Sequence, residues 1–100
     1  METKEYELIN NTDESQYEFH VGKYIPKIKY MKSVNNEIYL THTEVPSELG
    51  GQGIGSQLVE KVLQDIEMQK LQLVPLCPFV AGYIRKHPDW RRIVMKGINV

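Results

Sequence analysis

The stretch Leu-Gly-Gly-Gln-Gly-Ile-Gly-Ser, residues 49–56, stands between a segment typical of a β-strand and a segment typical of a long helix. Glycines occupy four of the six positions from 50 to 55. At the start of a helix, glycines leave the backbone amides bare, and these amides together with the helix dipole favour a phosphate or pyrophosphate. Each glycine loses much conformational entropy when the chain folds, and a plain turn does not require so many of them. The stretch therefore predicts a phosphate-binding loop, with a simple flexible turn as the alternative.

The residues that follow this glycine loop change to a helical period. Apolar side chains recur every four positions, with polar side chains between them, which predicts an amphipathic helix over residues 53–70. The apolar run at 71–76 predicts a buried strand, parallel to the strand before the loop because a strand–helix–strand crossover is right-handed. A second helix is predicted over residues 78–86, since it begins with a proline and ends before His87-Pro88.

Four segments before the loop alternate between apolar and polar residues, as half-buried strands do. They cover residues 5–10, 16–21, 25–32 and 37–45, and Pro46 ends the last of them. Their short connections predict an antiparallel meander, so the order β-β-β-β-α-β-α describes an α+β fold whose fourth and fifth strands are parallel. His42 alternates with Ile38 and Leu40, which predicts that it lies on the packed face of the fourth strand.

Length and composition favour one domain over residues 1–100. The chain contains no apolar stretch of the about 18 residues that a transmembrane helix needs, and no apolar segment near its start of the kind a secretory signal contains. Cys77 is the only cysteine, so no internal disulfide can form, and we expect a cytoplasmic protein. The net charge of −1 argues against nucleic acid as a partner.

Two common phosphate-binding motifs do not fit the glycine loop. The P-loop of nucleoside triphosphatases needs a lysine followed by serine or threonine after its last glycine, whereas Gly55 is followed by Ser56-Gln57. The dinucleotide-binding fingerprint needs glycines at the first, third and sixth positions of an early βαβ unit. Counted from Gly51 the sixth position is Ser56, and antiparallel strands precede it.

The run Glu44-Val45-Pro46 followed by the loop resembles motif A of the GNAT superfamily of acetyl-CoA-dependent N-acyltransferases. In that family a loop of Arg/Gln-x-x-Gly-x-Gly/Ala holds the pyrophosphate of coenzyme A at a helix start. Gly53 and Gly55 match its two small positions, and Gly50 stands where the family usually has Arg or Gln. The strand Thr-His-Thr-Glu-Val-Pro, residues 41–46, and the helix start Cys-Pro-Phe-Val, residues 77–80, look like those of small stand-alone GNAT-like proteins.

This resemblance covers about residues 17–90 and implies a GNAT-like domain that binds acetyl-CoA and transfers its acetyl group to a primary amine. It also implies that the strand before the loop splays from its parallel neighbour and that backbone groups there orient the pantetheine arm. His87 could meet the coenzyme phosphates, or belong to a plain charge cluster at a helix end. The implied coenzyme-binding residues are Thr43, Val45, Gly50, Gly51, Gln52, Gly53, Ile54, Gly55, Ser56 and His87.

Cys77 is the first candidate for a catalytic side chain. It directly precedes Pro78 at a predicted helix start, where the positive end of the helix favours a thiolate. An acetyl-cysteine intermediate is therefore conceivable. The alternative is a small buried hydrophobic residue, because a free cysteine often packs in a core. With the resemblance to the Cys-Pro-Phe-Val proteins taken into account, neither interpretation is favoured over the other.

Three further side chains are candidates for proton transfer. Many GNAT enzymes carry a tyrosine in the second helix that acts as a general acid toward the coenzyme thiolate, so Tyr83 could do so or could simply pack on the sheet. His42 could be a structural, hydrogen-bonded histidine or a general base. Glu44 lies on the strand beside the expected cleft and could act through water. Cysteine and histidine are too few and too scattered to predict a metal site.

Two rival functions remain open beside acetyl transfer. One is an acyl-CoA-binding module with little or no catalysis, which the missing Arg or Gln at Gly50 and the small size of the chain favour. The other is an interaction domain that keeps the fold alone. The expected partners are coenzyme A and an amine of a small molecule or a peptide, without a membrane. The exposed edge of a small sheet permits a weak homodimer as well as a monomer.

Overall fold

The computed structural model describes residues 4–100, and the elements within this range follow the predicted order. The strands are β1 (Ile9–Asn11), β2 (Gln16–Glu18), β3 (Lys27–Lys32), β4 (Glu37–Glu44) and β5 (Gln72–Pro75). The helices are α1 (Ile54–Met68) and α2 (Pro78–Lys86), with short 3₁₀ turns over Ser47–Leu49 and Pro88–Ile93.

The strands form one sheet in the order β1-β2-β3-β4-β5. Neighbouring strands are antiparallel except β4 and β5, which are parallel and are connected by α1, as the crossover rule predicts. β2 and β3 are shorter than predicted because the chain turns between them through a single bridge, Val21 with Tyr24. The predicted α+β fold, an antiparallel meander with one parallel pair, is confirmed.

Both helices pack on the same face of the sheet and share one hydrophobic core with it. Their apolar residues follow helical spacing, so each helix buries one side and leaves the other in solvent. The opposite face of the sheet carries lysines and the 65% exposed Met31. Within residues 4–100, no helix is long and apolar enough to cross a membrane. The main core residues are Tyr17, Phe19, Ile28, Ile38, Leu40, Leu58, Val59, Val62, Leu63, Ile66, Leu73, Val80 and Ile84.

The first strand begins at Ile9, so the predicted strand over residues 5–10 is wrong over most of its length. Tyr6 lies in an extended segment before β1, where side chains of α1 satisfy its backbone groups. The Tyr6 amide donates to Gln57 Oε1 at 2.8 Å, and Lys61 Nζ donates to the Tyr6 carbonyl. Apolar alternation alone does not distinguish a strand from an extended segment that is bound along a helix.

A β-bulge interrupts the pairing of β3 with β4. Lys29 pairs with His42, but the next pair is Tyr30 with Leu40. Thr41 is therefore an extra residue in β4, and its hydroxyl donates to the Lys29 carbonyl at 3.3 Å. Such an extra residue inverts the alternation of side chains along the rest of the strand.

The bulge overturns the prediction that His42 lies on the packed face. Residues that pair directly across two strands point to the same face of the sheet. His42 therefore shares the exposed face with Lys29, and its side chain is 57% exposed. Thr43 pairs with the buried Ile28 and so lies on the face that the helices cover.

Candidate active site

The parallel strands β4 and β5 separate part-way along their length. Their pairing ends at Leu40 with Pro75, although β4 continues to Glu44. Beyond this point the chain after β5 turns into α2, and its last link to β4 is the Cys77 amide, which donates to the Leu40 carbonyl at 2.9 Å. The end of β4 and the start of α2 are therefore no longer paired, as the resemblance implied, and the region between them is called the cleft below.

Cys77 and Thr43 meet across this cleft. Cys77 is the residue that precedes α2, with Pro78 in the first helical position. The residue is 4% exposed, and its thiol donates a hydrogen bond to Thr43 Oγ1, with 3.0 Å between sulfur and oxygen. The side chain is thus directed at β4 and does not cap the amides of its own helix. Two residues that are 34 positions apart in sequence form the polar centre of the cleft.

The glycine loop presents bare amides, as predicted, but not at every glycine. Gly51 and Gly53 have φ values of 78° and 72°, a left-handed conformation that favours glycine. In the described residues, the amides at the start of α1 have no acceptor until Gln57. The Gln57 amide donates to the Gly53 carbonyl at 3.0 Å. The Gly50 amide already donates to the Ser47 carbonyl at 3.0 Å, so it is not available to a ligand.

Gly55 has a structural reason to be a glycine. A Cβ atom at this position would lie 2.8 Å from Cζ of Phe79 and 3.4 Å from Cγ2 of Val45. The missing side chain therefore lets the Phe79 ring of α2 cross the first turn of α1. Sequence spacing assigned this glycine to the ligand alone, and the packing of the two helix starts is a second cause.

A groove of about 410 Å³ runs between the start of α1 and the end of α2. The groove joins the glycine loop to His87, the residue that could contact the coenzyme phosphates according to the sequence analysis. The His87 ring stacks on Tyr83 with ring centres 4.1 Å apart. Because a carbonyl can only accept, the 2.9 Å contact of His87 Nδ1 with the Tyr83 carbonyl puts a proton on Nδ1 and leaves Nε2 for another partner. The groove is lined by Glu5, Gly53, Ser56, Gln57, Glu60, Tyr83 and His87.

Tyr83 keeps its proton in this groove. Partial burial raises the pKa of the Tyr83 hydroxyl, and the negative charge of Glu60 raises it further. A phenol with a raised pKa is protonated at neutral pH, which is the state that a proton donor needs.

His42 and Glu44 lie on the exposed side of β4, away from the contact between Thr43 and Cys77. The two side chains are 3.8 Å apart, and Glu44 is also 3.8 Å from Lys27 Nζ. Glu44 lines a second groove, of about 470 Å³, together with Lys23, Tyr24, Ile25, Lys27, Val45 and Pro46. The structure thus separates the predicted catalytic residues into a cysteine in the cleft, a tyrosine in the groove, and two residues on the open face of the sheet.

A model of the GCN5-related N-acetyltransferase family matches residues 16–93. The chain belongs to this family. It is similar to a proposed GCN5-like N-acetyltransferase from Staphylococcus aureus, whose solution structure was solved by NMR, with a TM-score of 0.70 and 26% identity. The match covers 90% of this chain and 88% of that chain. None of the curated proteins matches the chain.

The acidic side of the groove in this GCN5-related N-acetyltransferase was not predicted. Glu60 is one of the polar side chains of the amphipathic helix, and it lines the groove. Glu60 follows Gly53, Ser56 and Gln57 by the spacings that place residues on one face of a helix. Its position beside the glycine loop could therefore have been predicted from the sequence. The position of Glu5 could not be predicted in this way, because it reaches the groove only through the segment bound along α1.

Proposed function

We propose that this chain binds acetyl-CoA and transfers the acetyl group to a primary amine. The observation that carries the proposal is the position of the bare amides at the start of α1, next to a cleft where β4 and β5 separate. A helix start with free amides suits a pyrophosphate, and unpaired backbone of a strand suits the amide groups of pantetheine. Membership in the family agrees with this assignment.

The coenzyme would contact the chain at three places. The amides of the loop would bind the pyrophosphate, Gly50 excepted because its amide is engaged. The backbone of Thr43 and Val45 would hold the pantetheine arm. His87 would offer Nε2 to a phosphate when the ring is protonated. The proposed loop residues are Gly51, Gln52, Gly53, Ile54, Gly55 and Ser56.

Cys77 is the proposed nucleophile, in keeping with the Cys-Pro-Phe-Val helix start of residues 77–80. Its sulfur forms a bond to the acetyl carbon, the bond from that carbon to the coenzyme sulfur breaks, and the Cys77 proton passes to the coenzyme sulfur. The amine then forms a bond to the same carbon, the bond to Cys77 breaks, and one amine proton returns to the Cys77 sulfur. Both steps balance without a further reactant.

Direct attack by the amine is the alternative to this covalent route. In that case Tyr83 would donate its proton to the departing coenzyme sulfur, since a tyrosine hydroxyl is protonated at neutral pH. His42 or Glu44 would take the proton of the amine, through water. Because both lie on the open face of the sheet, this role requires the amine to approach from that face.

A second candidate function is acyl-CoA binding with little or no catalysis. The observation that favours it is the burial of Cys77, which is 4% exposed and part of the hydrophobic core. The groove also places two acidic residues, Glu5 and Glu60, beside the loop that would bind phosphate. Product formation with a panel of amines separates this candidate from the transferase.

Titration with acetyl-CoA is expected to shift the backbone amide signals of residues 51–56 more than those of any other segment. The signal of Gly50 should move less than those of Gly51 and Gly53, because its amide stays bonded to Ser47. The measurement is a residue-by-residue NMR titration, with Gly97 in a distant left-handed turn as the internal reference. Unshifted loop amides at millimolar acetyl-CoA would contradict the coenzyme assignment.

Gly50→Arg is expected to tighten acetyl-CoA binding by about 5-fold, since a guanidinium there could contact a phosphate oxygen at an exposed site. A Cβ at this position lies 3.1 Å from the Ser47 carbonyl, so the loop must give by a few tenths of an ångström. Gly50→Ala has the same Cβ without the charge and is the matched control. Calorimetry measures both. Equal affinities for the two variants would mean that position 50 does not face the phosphates.

A further inference from the structure

We propose that Thr43 is a positioning residue that orients the thiol of Cys77 for acetyl transfer. The inference rests on the proposed covalent route and adds a side chain to it. It starts from the 3.0 Å hydrogen bond between Cys77 Sγ and Thr43 Oγ1. Thr43 acts through Cys77 and not on the acetyl group.

The bulge in β4 brings the Thr43 hydroxyl to the cleft. Without the extra residue Thr41, the side chain that follows His42 would lie on the open face of the sheet. With it, Thr43 points to the covered face, although its sequence neighbours His42 and Glu44 are exposed. The Thr43 hydroxyl is partly buried on this face, and Cys77 is the hydrogen-bond partner that the described residues provide.

A threonine hydroxyl can serve both forms of the thiol. It accepts a hydrogen bond from the neutral thiol, as in this structure. Once Cys77 loses its proton, the same hydroxyl hydrogen can rotate and donate to the thiolate, and hydrogen bonds to charged groups are the stronger ones. Because threonine is branched at Cβ, its χ1 angle is restricted, so the oxygen keeps a defined direction toward the sulfur.

The contact also fixes where the sulfur points. Cys77 is held by its own backbone, since its amide donates to Leu40 and its carbonyl accepts from Ala81 at 3.0 Å. The side chain can still rotate about its Cα–Cβ bond. The hydrogen bond to Thr43 selects the rotamer that faces the end of β4, where the pantetheine arm and its thioester are proposed to lie.

The test compares Thr43→Val and Thr43→Ser with the unaltered chain. Valine keeps the shape of threonine and loses the hydroxyl, whereas serine keeps the hydroxyl and loses the methyl group. The first readout is the rate at which acetyl-CoA adds one acetyl group to Cys77, followed by mass spectrometry without an amine. The second is the rate of Cys77 alkylation by iodoacetamide. Coenzyme affinity and the NMR spectrum report on binding and folding.

We expect both rates to fall about 10- to 100-fold in Thr43→Val and to stay within a few-fold in Thr43→Ser. Coenzyme affinity should change little, because the proposed contacts of Thr43 with pantetheine use its backbone. Thr12→Val, at an exposed threonine in the turn between β1 and β2 and without contact to Cys77, is the control and should keep both rates.

If Thr43 acts only through packing, Thr43→Val should keep both rates and Thr43→Ser should lower them. That result would overturn the inference. Acetylation that is unchanged in Thr43→Val would overturn it while leaving the covalent route intact. If the unaltered chain is alkylated but never acetylated, the covalent route is wrong, and a slow Thr43→Val alkylation would still assign Thr43 to orienting the thiol. A thiol that neither reagent modifies would overturn both.

Discussion

Gly53→Val is expected to weaken acetyl-CoA binding about 100-fold, the loss expected when two hydrogen bonds from backbone amides to a phosphate are removed. The branched side chain would stand where the pyrophosphate approaches the start of α1. Apart from the adjacent residues of the chain, no described atom lies within 4 Å of a Cβ at this position, so the side chain would project into open space at the loop and not into the core.

The same substitution should leave the domain folded. A φ of 72° at Gly53 is unfavourable for valine by roughly 1–2 kcal/mol, which is less than the roughly 5–15 kcal/mol of a typical domain. Gly97→Val is the matched control, because Gly97 also has a positive φ, 90°, and open space at its Cβ, but lies in the C-terminal segment. Calorimetry and denaturant unfolding measure both variants. Equal losses of affinity in the two would show that backbone strain, and not the phosphate site, explains the effect.

Cys77→Ala is expected to abolish the acetyl adduct and to lower the rate of acetyl transfer by at least about 1000-fold, because loss of a covalent nucleophile removes the route itself. Acetyl-CoA affinity should remain, since no proposed phosphate or pantetheine contact uses the thiol. The adduct is measured by mass spectrometry and the rate by product formation with an accepted amine.

A control for stability is needed, because Cys77 is buried and its removal leaves the Thr43 hydroxyl without a partner, at about 1–2 kcal/mol. Ile84→Val lies in α2, the helix that Cys77 precedes, is buried, and should cost about 0.5–1.5 kcal/mol without touching the cleft. It should keep the full rate. A full rate in Cys77→Ala would mean that the amine attacks directly and that Cys77 is a core residue.

The fold was predictable because its signals are local. The change of period after the glycine loop predicted a helix over residues 53–70, and α1 spans Ile54–Met68. A helix between two strands then made β4 and β5 parallel, since the crossover has a preferred hand. The prediction of the first strand was wrong because the contacts that hold this segment are not local. The partners of Tyr6 are side chains of α1, 51 and 55 positions away, and no local pattern reveals them.

The sequence proposed the candidate residues of the site, but it did not predict how they are arranged. Cys77 and Thr43 were each singled out, but their contact depends on the separation of β4 from β5 and on a bulge that forms only against β3. The same bulge placed His42 in solvent, because a period of two cannot be extended across an extra residue.

The sequence by itself determined that a helix begins after the glycine loop and leaves its first amides bare, because the beginning of a helix depends on residues that are neighbours in the chain. Only the tertiary structure decided that Gly55 makes room for Phe79 and that a thiol and a hydroxyl 34 positions apart form a hydrogen bond. These contacts depend on how strands pair and helices pack, which are interactions between residues that the chain brings together only when it folds.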